Sequence, residues 1–457
     1  MKTIHFITSG FFSLIFLFSC EDFIEVDDPK GQIAQENVFE NEATTTAAVS
    51  SLYAKLRDDS FVTGKQAGMG ILMGLYADEL DYYGSTTQPI NTIYHHQLIA
   101  STTSINTIWT SAYQLIYMAN ACLDGIENSK NLSETFKDQT KAEVLFIRAL
   151  VYFYLTNLYG DIPYTTTIDY TINQHLSRRK IEFVYQQIQK DLDKAEVLLQ
   201  NKPFNRIKVN QFAVNALKSR IGLYAEDWKT AEENSTKIIN QSVLFKLEPN
   251  LANEFLKDSQ SAIFQLKPLK EGDITHEASA FHFVSGPPPF VALSPKFIQS
   301  FEPTDLRLQF WIKTIKKESQ SWHSSSKYKQ TNTVTSSSEY SIIFRLAEIY
   351  FIRAEARLKQ GNLTGALEDL NRIRNRAGLN SIASLNQDDI FQAIVNERKH
   401  ELFTEQGHCW FDLKRWKIAE NVLKPIKVNW KSTDILFPIP ENEIMLNPNL
   451  QPQNSGY

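Results

Sequence analysis

Apolar residues recur every three or four positions from Ile105 to Ile126, where Ile105, Ile108, Trp109, Ala112, Leu115, Ile116, Ala119 and Leu123 form one stripe. That spacing turns one face of an α-helix toward a core. A second run, Asp138 to Tyr159, carries Ala142, Leu145, Phe146, Ala149, Leu150, Phe153 and Leu158 and stops at Gly160-Asp161-Ile162-Pro163, a glycine and proline terminator. Ile181 to Leu199, Gln211 to Ala225 and Trp228 to Ile239 follow with short links, which predicts antiparallel helix pairs.

Two distant segments share one pattern. Ala213 to Ile239 and Leu346 to Arg374 both read as helix, tight turn, helix, with Ala216, Ala225 and Ala231 in the first and Ala347, Ala354 and Ala366 in the second. Small residues at such spacings let helices approach closely, as tetratricopeptide-type hairpins of roughly 34 residues require. Between them, from about Gln241 to Tyr340, the helical period fails. That stretch holds Pro287-Pro288-Pro289 and further prolines, alternating pieces such as Ala262 to Lys267, and serine clusters at Ser324 to Ser326 and Ser336 to Ser338. The predicted fold is mostly α: tetratricopeptide-like repeats as a scaffold, with a long irregular insertion of short strands and loops. Loops on such a frame carry binding residues.

The N-terminus changes the picture of where this scaffold works. Lys2, an apolar run from Phe6 to Phe18, and Leu17-Phe18-Ser19-Cys20 read as a secretory leader ending in a lipobox. The run is too short to span a bilayer. Residues 1–19 are therefore expected to be removed and Cys20 acylated, which anchors the chain to a membrane through buried CH₂ groups. Residues 20–40 read as an acidic tether. Residues 41–457 read as one domain, with repeats at about 41–240 and 341–417, the insertion at about 241–340 and an extended segment at 430–457.

The chain has 457 residues, with 47 Lys plus Arg against 52 Asp plus Glu. Losing Lys2 with the leader leaves 46 against 52, a net of minus six, which argues against nucleic acid or anionic lipid as the main partner. Cys122 and Cys409 lie far apart in apolar stretches, and buried thiols are expected rather than a disulfide.

At Leu346 to Leu379 the pattern becomes specific. The segment RLAEIYFIRAEARLKQG followed by ALEDLNRIRNRAGL resembles the signature of SusD/RagB outer-membrane nutrient-binding lipoproteins. Trp109 to Asn120, Arg148-Ala149 with Tyr159 to Tyr164, Ile394 to Leu402, Trp410 to Trp416 and the terminal FPIPENEIMLNPNLQPQNSGY agree with it in order. Cys409 stands where that family usually has Arg. The resemblance implies a surface lipoprotein that binds an oligosaccharide without covalent chemistry and acts as the lid of a SusC-like TonB-dependent outer-membrane barrel. Peptide cargo, as in the RagB branch, stays open beside glycan, and a surface hydrolase is a third reading. Charges inside otherwise apolar helices, Arg345, Glu348, Arg353, Glu355, Glu397, Arg398 and Glu401, together with Asp305 and Arg307, are expected to be structural ion pairs.

Enzyme motifs are sparse. Gly68-Met69-Gly70 with Gly74 has no preceding apolar strand and sits in a helical pattern, so it does not make a dinucleotide loop. His95-His96 would point to opposite sides of a strand, and no paired ligand spacing supports a zinc site. No catalytic residue, cofactor or metal is expected. What remains are aromatics in polar settings. Trp322, within Glu318 to Ser326, has no apolar sequence neighbour and reads either as a stacking platform or as a loop anchor. Tyr82 and Tyr83, beside Asp81, form a second candidate, with His323 next to Trp322. Trp311, inside Phe310-Trp311-Ile312, is kept among the ligand-binding candidates, although its apolar neighbours favour core. The resemblance implies that the loop after the early helix and the insertion together line the ligand face.

Overall fold

The computed structural model describes residues 38–62 and 65–457; the leader, Cys20 and most of the tether lie outside the described residues. The principal helices are α1 Glu42–Asp58, α2 Met69–Tyr76, α3 Thr103–Asn128, α4 Glu134–Tyr159, α5 Ile181–Leu198, α6 Gln211–Tyr224, α7 Trp228–Ile239, α8 Leu346–Lys359, α9 Leu363–Arg376, α10 Gln387–Glu401 and α11 His408–Arg415. The fold is mostly α, with tetratricopeptide-like helix pairs as its frame: α3 packs on α4, α4 on α5, α6 on α7 and α8 on α9. Helix α4 ends where the sequence predicts, at Gly160, whose φ of 76° only glycine adopts freely.

The two similar hairpins are neighbours in space: α7 lies against α8 although the insertion separates them in sequence. Their turns match. Glu226 and Gly361 take left-handed φ values of 57° and 81°, and the next residues, Asp227 and Asn362, cap α7 and α9 by accepting from Thr230 N and Gly365 N. Helices α6 and α7 approach closely at Gly222, where an added β-carbon would lie 2.8 Å from Ala231 N.

The charges in the apolar helices are paired. Arg220 Nε and Nη2 donate to Glu348 Oε1 and Oε2 at 2.7 and 2.8 Å, which ties α6 to α8 across the insertion. Arg353 grips Asp369, Arg415 grips Glu355, and Arg398 grips Asp412. A larger buried knot joins the insertion to the frame: Arg345 reaches Glu401, Glu254 and Glu405, while Arg307 reaches Asp305, Glu397 and Glu401. Burial by itself raises the Glu401 carboxyl, but Arg376, Arg345 and Arg307 outweigh it and hold the group well below the usual carboxylate range.

The insertion contains strands and short helices. β4 Ala262–Leu266 pairs antiparallel with β8 Ser341–Arg345, closing the base of the insertion. A four-stranded antiparallel sheet runs in the order β1, β5, β7, β6, where β1 is Leu80–Tyr82, β5 Val291–Leu293, β6 Ile312–Lys317 and β7 Gln320–Ser325. A small ribbon pairs β2 Ile162–Pro163 with β3 Arg178–Arg179. Two expectations change. His95 and His96 lie at the end of a short helix, Ile90–Tyr94, rather than on a strand. The segment after Trp430 is not uniformly extended, because helical turns form at Ser432–Ile435, Glu441–Leu446 and Pro448–Leu450. Cys122 and Cys409 are free thiols.

Candidate functional site

The four-stranded sheet brings together the two segments singled out in the sequence. Leu80, Asp81 and Tyr82 of β1 face Leu293, Ala292 and Val291 of β5, and Leu293 in turn faces His323 of β7. Alternation along the strands gives the sheet two faces. Leu80, Val291 and Leu293 join the main core, while Ala292, Ile315 and Trp322 form a separate small cluster with Phe283 on the other side. Asp81, opposite Ala292, is on that outer side, as is Tyr83 two residues on. The Tyr83 amide continues the ladder by donating to Phe290 O at 2.7 Å.

Trp322 is not the bare loop residue that its neighbours in sequence describe. The polar run Gln320–Ser325 is a strand of a tight hairpin, turned at Glu318 with φ 53°. The indole is only 8% exposed, packed on Ile315, Ala292 and Phe283. Its ring face is covered by the 282–290 loop: a β-carbon at Gly286 would fall 1.9 Å from Trp322 Cζ3. Trp322 therefore supports that loop and, through its indole N–H, the Tyr83 hydroxyl. Trp311 is a second correction. It is fully buried, donates from Nε1 to Leu251 O at 2.8 Å and packs on Phe255, so no ligand reaches it.

Tyr83 is the open ring of the group, 37% exposed. Tyr82 is half-buried and curls over Gly84, with its hydroxyl 2.9 Å from Ser85 O and 2.7 Å from Gln88 Oε1. Asp81 accepts from the Tyr94 hydroxyl at 3.1 Å. Burial raises its pKa, and neighbouring Asp78 adds to that rise against the Tyr94 hydrogen bond. Lys427 lies 3.9 Å above the Tyr94 ring and 3.2 Å from Asp78. Burial lowers the Lys427 ammonium, while Asp78 opposes the shift. His323 Nδ1 is 3.1 Å from Thr314 Oγ1, and burial pushes the imidazole below its ordinary value, so it is neutral at pH 7.

An open phenol ring beside a half-buried carboxylate offers a stacking face flanked by a hydrogen-bonding group; His323, paired with Leu293, lies on the opposite face of the sheet and does not join them. Among the described residues no His, Cys, Asp and Glu group has the arrangement of a metal site. Sequence reasoning missed Tyr94, Phe290, Gly286 and Lys427. Lys427 carries no sequence signal at all, because it arrives from the far end of the chain; Tyr94 is the one whose place beside His95-His96 drew attention to its segment.

Two family models cover most of the chain: residues 22–223 match one described as starch-binding associating with outer membrane, and residues 311–434 match the SusD family. The chain belongs to the SusD/RagB family. SusD-like protein P25 of Formosa agariphila is 25% identical, covering 98% of each chain. Among solved structures, a SusD superfamily protein of Bacteroides vulgatus superposes with a TM-score of 0.78 at 21% identity, over 92% of this chain and all of its own. The surface glycan-binding protein A of Bacteroides fluxus gives 0.73 at 21%, over 91% of this chain and all of its own. These likenesses carry the fold; the family's sequence signature spans both the helical frame and the strands of the insertion.

Proposed function

We propose that this protein is a surface glycan-binding lipoprotein of the outer membrane, anchored through Cys20 and facing the exterior. In this reading it captures an oligosaccharide at the outer face of the β1–β5–β7–β6 sheet and acts as the lid of a SusC-like TonB-dependent barrel. Tyr83 offers its ring to the apolar C–H face of a sugar. Asp81 accepts from sugar hydroxyls, Tyr82 holds the 84–88 loop, and Trp322 keeps Tyr83 and the 282–290 loop in place. No covalent step is involved, so the ligand leaves unchanged.

The observation that carries this reading is the exposed Tyr83 ring beside half-buried Asp81, on a sheet that unites two distant segments. The description of the family model as starch-binding and the name of the Bacteroides fluxus relative support carbohydrate as the cargo. Calorimetry against a panel of glycans, with peptides of similar size alongside, tests it. Tyr83→Ala is expected to weaken the best glycan at least tenfold, about 1.4 kcal/mol, with the melting temperature unchanged. Affinity that survives Tyr83→Ala, or a peptide bound more tightly than every glycan, would refute the site or the cargo respectively. Purification from detergent-solubilised outer membrane should recover a TonB-dependent barrel in near-equal amount.

A further inference from the structure

A second cleft, of about 830 Å³, opens among the helical pairs far in the fold from the sheet, and no residue of the sheet site lines it. Its floor is Lys414, in the last turn of α11. Arg415, the next residue, holds both Glu355 and Asp412. Lys414 is different. Its ammonium donates to the backbone carbonyl of Asn157, and no carboxylate lies within 4.0 Å of it among the described residues. An ammonium carries three donors, so further hydrogen-bonding capacity faces the cleft.

The walls are aromatic. Tyr185, Tyr224, Trp228, Phe391 and Trp416 are half-buried rings that line the cleft with Lys414, and a second lysine, Lys359, lies 4.7 Å over the Phe391 ring. Phe391 and Trp416 meet edge to face at 5.8 Å. Asn157 serves as a pivot, since its side-chain oxygen accepts from Tyr185 at 3.0 Å while its backbone oxygen takes Lys414. Burial alone lowers the Lys414 ammonium to about 7, so an anion arriving there would gain a charge-assisted hydrogen bond and draw the proton back on.

We propose that this cleft binds an acidic sugar unit, with its carboxylate or sulfate ester on Lys414 and its ring against the aromatic walls. The inference rests on the carbohydrate reading of the protein but assigns a second subsite and a charge to the ligand. A single anionic group fits better than an acidic peptide, because Glu182 also lines the cleft and would repel further negative charge, while Glu355 and Glu226 are already paired with Arg415 and Lys417.

The probes are an aldobiouronate, a monosulfated disaccharide, the carboxyl-reduced neutral disaccharide and a capped dipeptide with one glutamate, each titrated into the soluble domain at pH 7. One or both acidic sugars are expected to bind at least tenfold more tightly than the neutral one, and the two arms tell carboxylate from sulfate. Lys414→Met should bring them to the neutral level, while Lys414→Arg retains most of the affinity. The Lys414 resonance, followed by NMR after reductive ¹³C-methylation, should titrate at higher pH with the probe present. Equal binding of the neutral sugar, undiminished binding in Lys414→Met, a glutamate dipeptide that binds as well, or no binding by any acidic probe would overturn the proposal. Acidic-sugar binding lost in Tyr83→Ala and kept in Lys414→Met would overturn the cleft while leaving the sheet site standing; the reverse pattern supports the cleft.

Discussion

Glu79 sits between α2 and β1, at the root of the strand that carries Asp81, Tyr82 and Tyr83, and it is 4% exposed. One carboxyl oxygen accepts from Thr404 N at 2.8 Å; the other has no hydrogen-bond partner among the described residues. The side chain beside it is the Cys409 thiol. A carboxylate that lacks its cation should be uncomfortable, and burial does raise Glu79 from 4.5 to about 7, against weaker opposing effects from Thr404 and Lys327. Between those two values the folded protein keeps a proton that the unfolded chain has released. Its contribution to stability is therefore complete below pH 4.5 and is lost as pH rises toward 7. At about 1.36 kcal/mol per pH unit the loss is roughly 3 kcal/mol. With an unfolding entropy of about 2.1 cal/mol/K per residue over roughly 400 residues, that corresponds to about 3–4 °C in melting temperature. Glu79→Gln keeps the acceptor for Thr404 and removes the charge. It is expected to melt with the parent at pH 4.5 and about 3 °C above it at pH 8, measured by calorimetry across the range. Cys409→Arg, which supplies the missing cation, should likewise flatten the pH dependence. Parallel melting curves for parent and Glu79→Gln, or a variant less stable at pH 8, would refute the reasoning.

Arg220→Met strands the Glu348 carboxylate in the interior and should cost about 3–5 kcal/mol, whereas Arg220→Met combined with Glu348→Leu should recover most of it; denaturant unfolding of the four proteins measures the coupling. Gly222→Ala forces α6 and α7 apart at Ala231 and should destabilise by about 1–3 kcal/mol, read as a lowered melting temperature. Cys20→Ala should abolish labelling by radioactive fatty acid and release the protein from the membrane fraction; label retained in that variant would remove the anchor from the reading.

The helical frame was legible because its signal is local. Stripes such as Ile105, Ile108, Trp109 and Ala112 repeat within one element, and the turn at Gly361-Asn362 announces itself by its residues. The charges of α8 and α10 also announced ion pairs, though not their partners; nothing near Glu348 in sequence points to Arg220. The sheet was illegible for the opposite reason. Trp322 looks solvent-facing in the string Gln-Ser-Trp-His-Ser-Ser, since the groups that bury it, Phe283, Ala292 and the backbone at Gly286, come from a different segment. Tyr83 was legible as a candidate, yet its distinction from Tyr82 depends on which ring curls back over Gly84, and that is settled only by the fold. Lys414 drew no attention because the residues on either side of it belong to a family signature.

The grip of Arg220 on Glu348 also sets an order in time. The two residues stand 128 positions apart, so the loop between them must close before they meet, at an entropic cost that contacts within one hairpin do not carry. Until that loop closes, the α6–α7 hairpin has a guanidinium without the Glu348 carboxylate and a flank without α8 against it. The frame is thus completed by its later half, α8 beside α7, with β8 paired to β4 at the base of the insertion. A chain truncated before Leu346 would leave the α7 edge of the repeat frame uncovered, an exposed surface of the kind that favours association between incomplete chains.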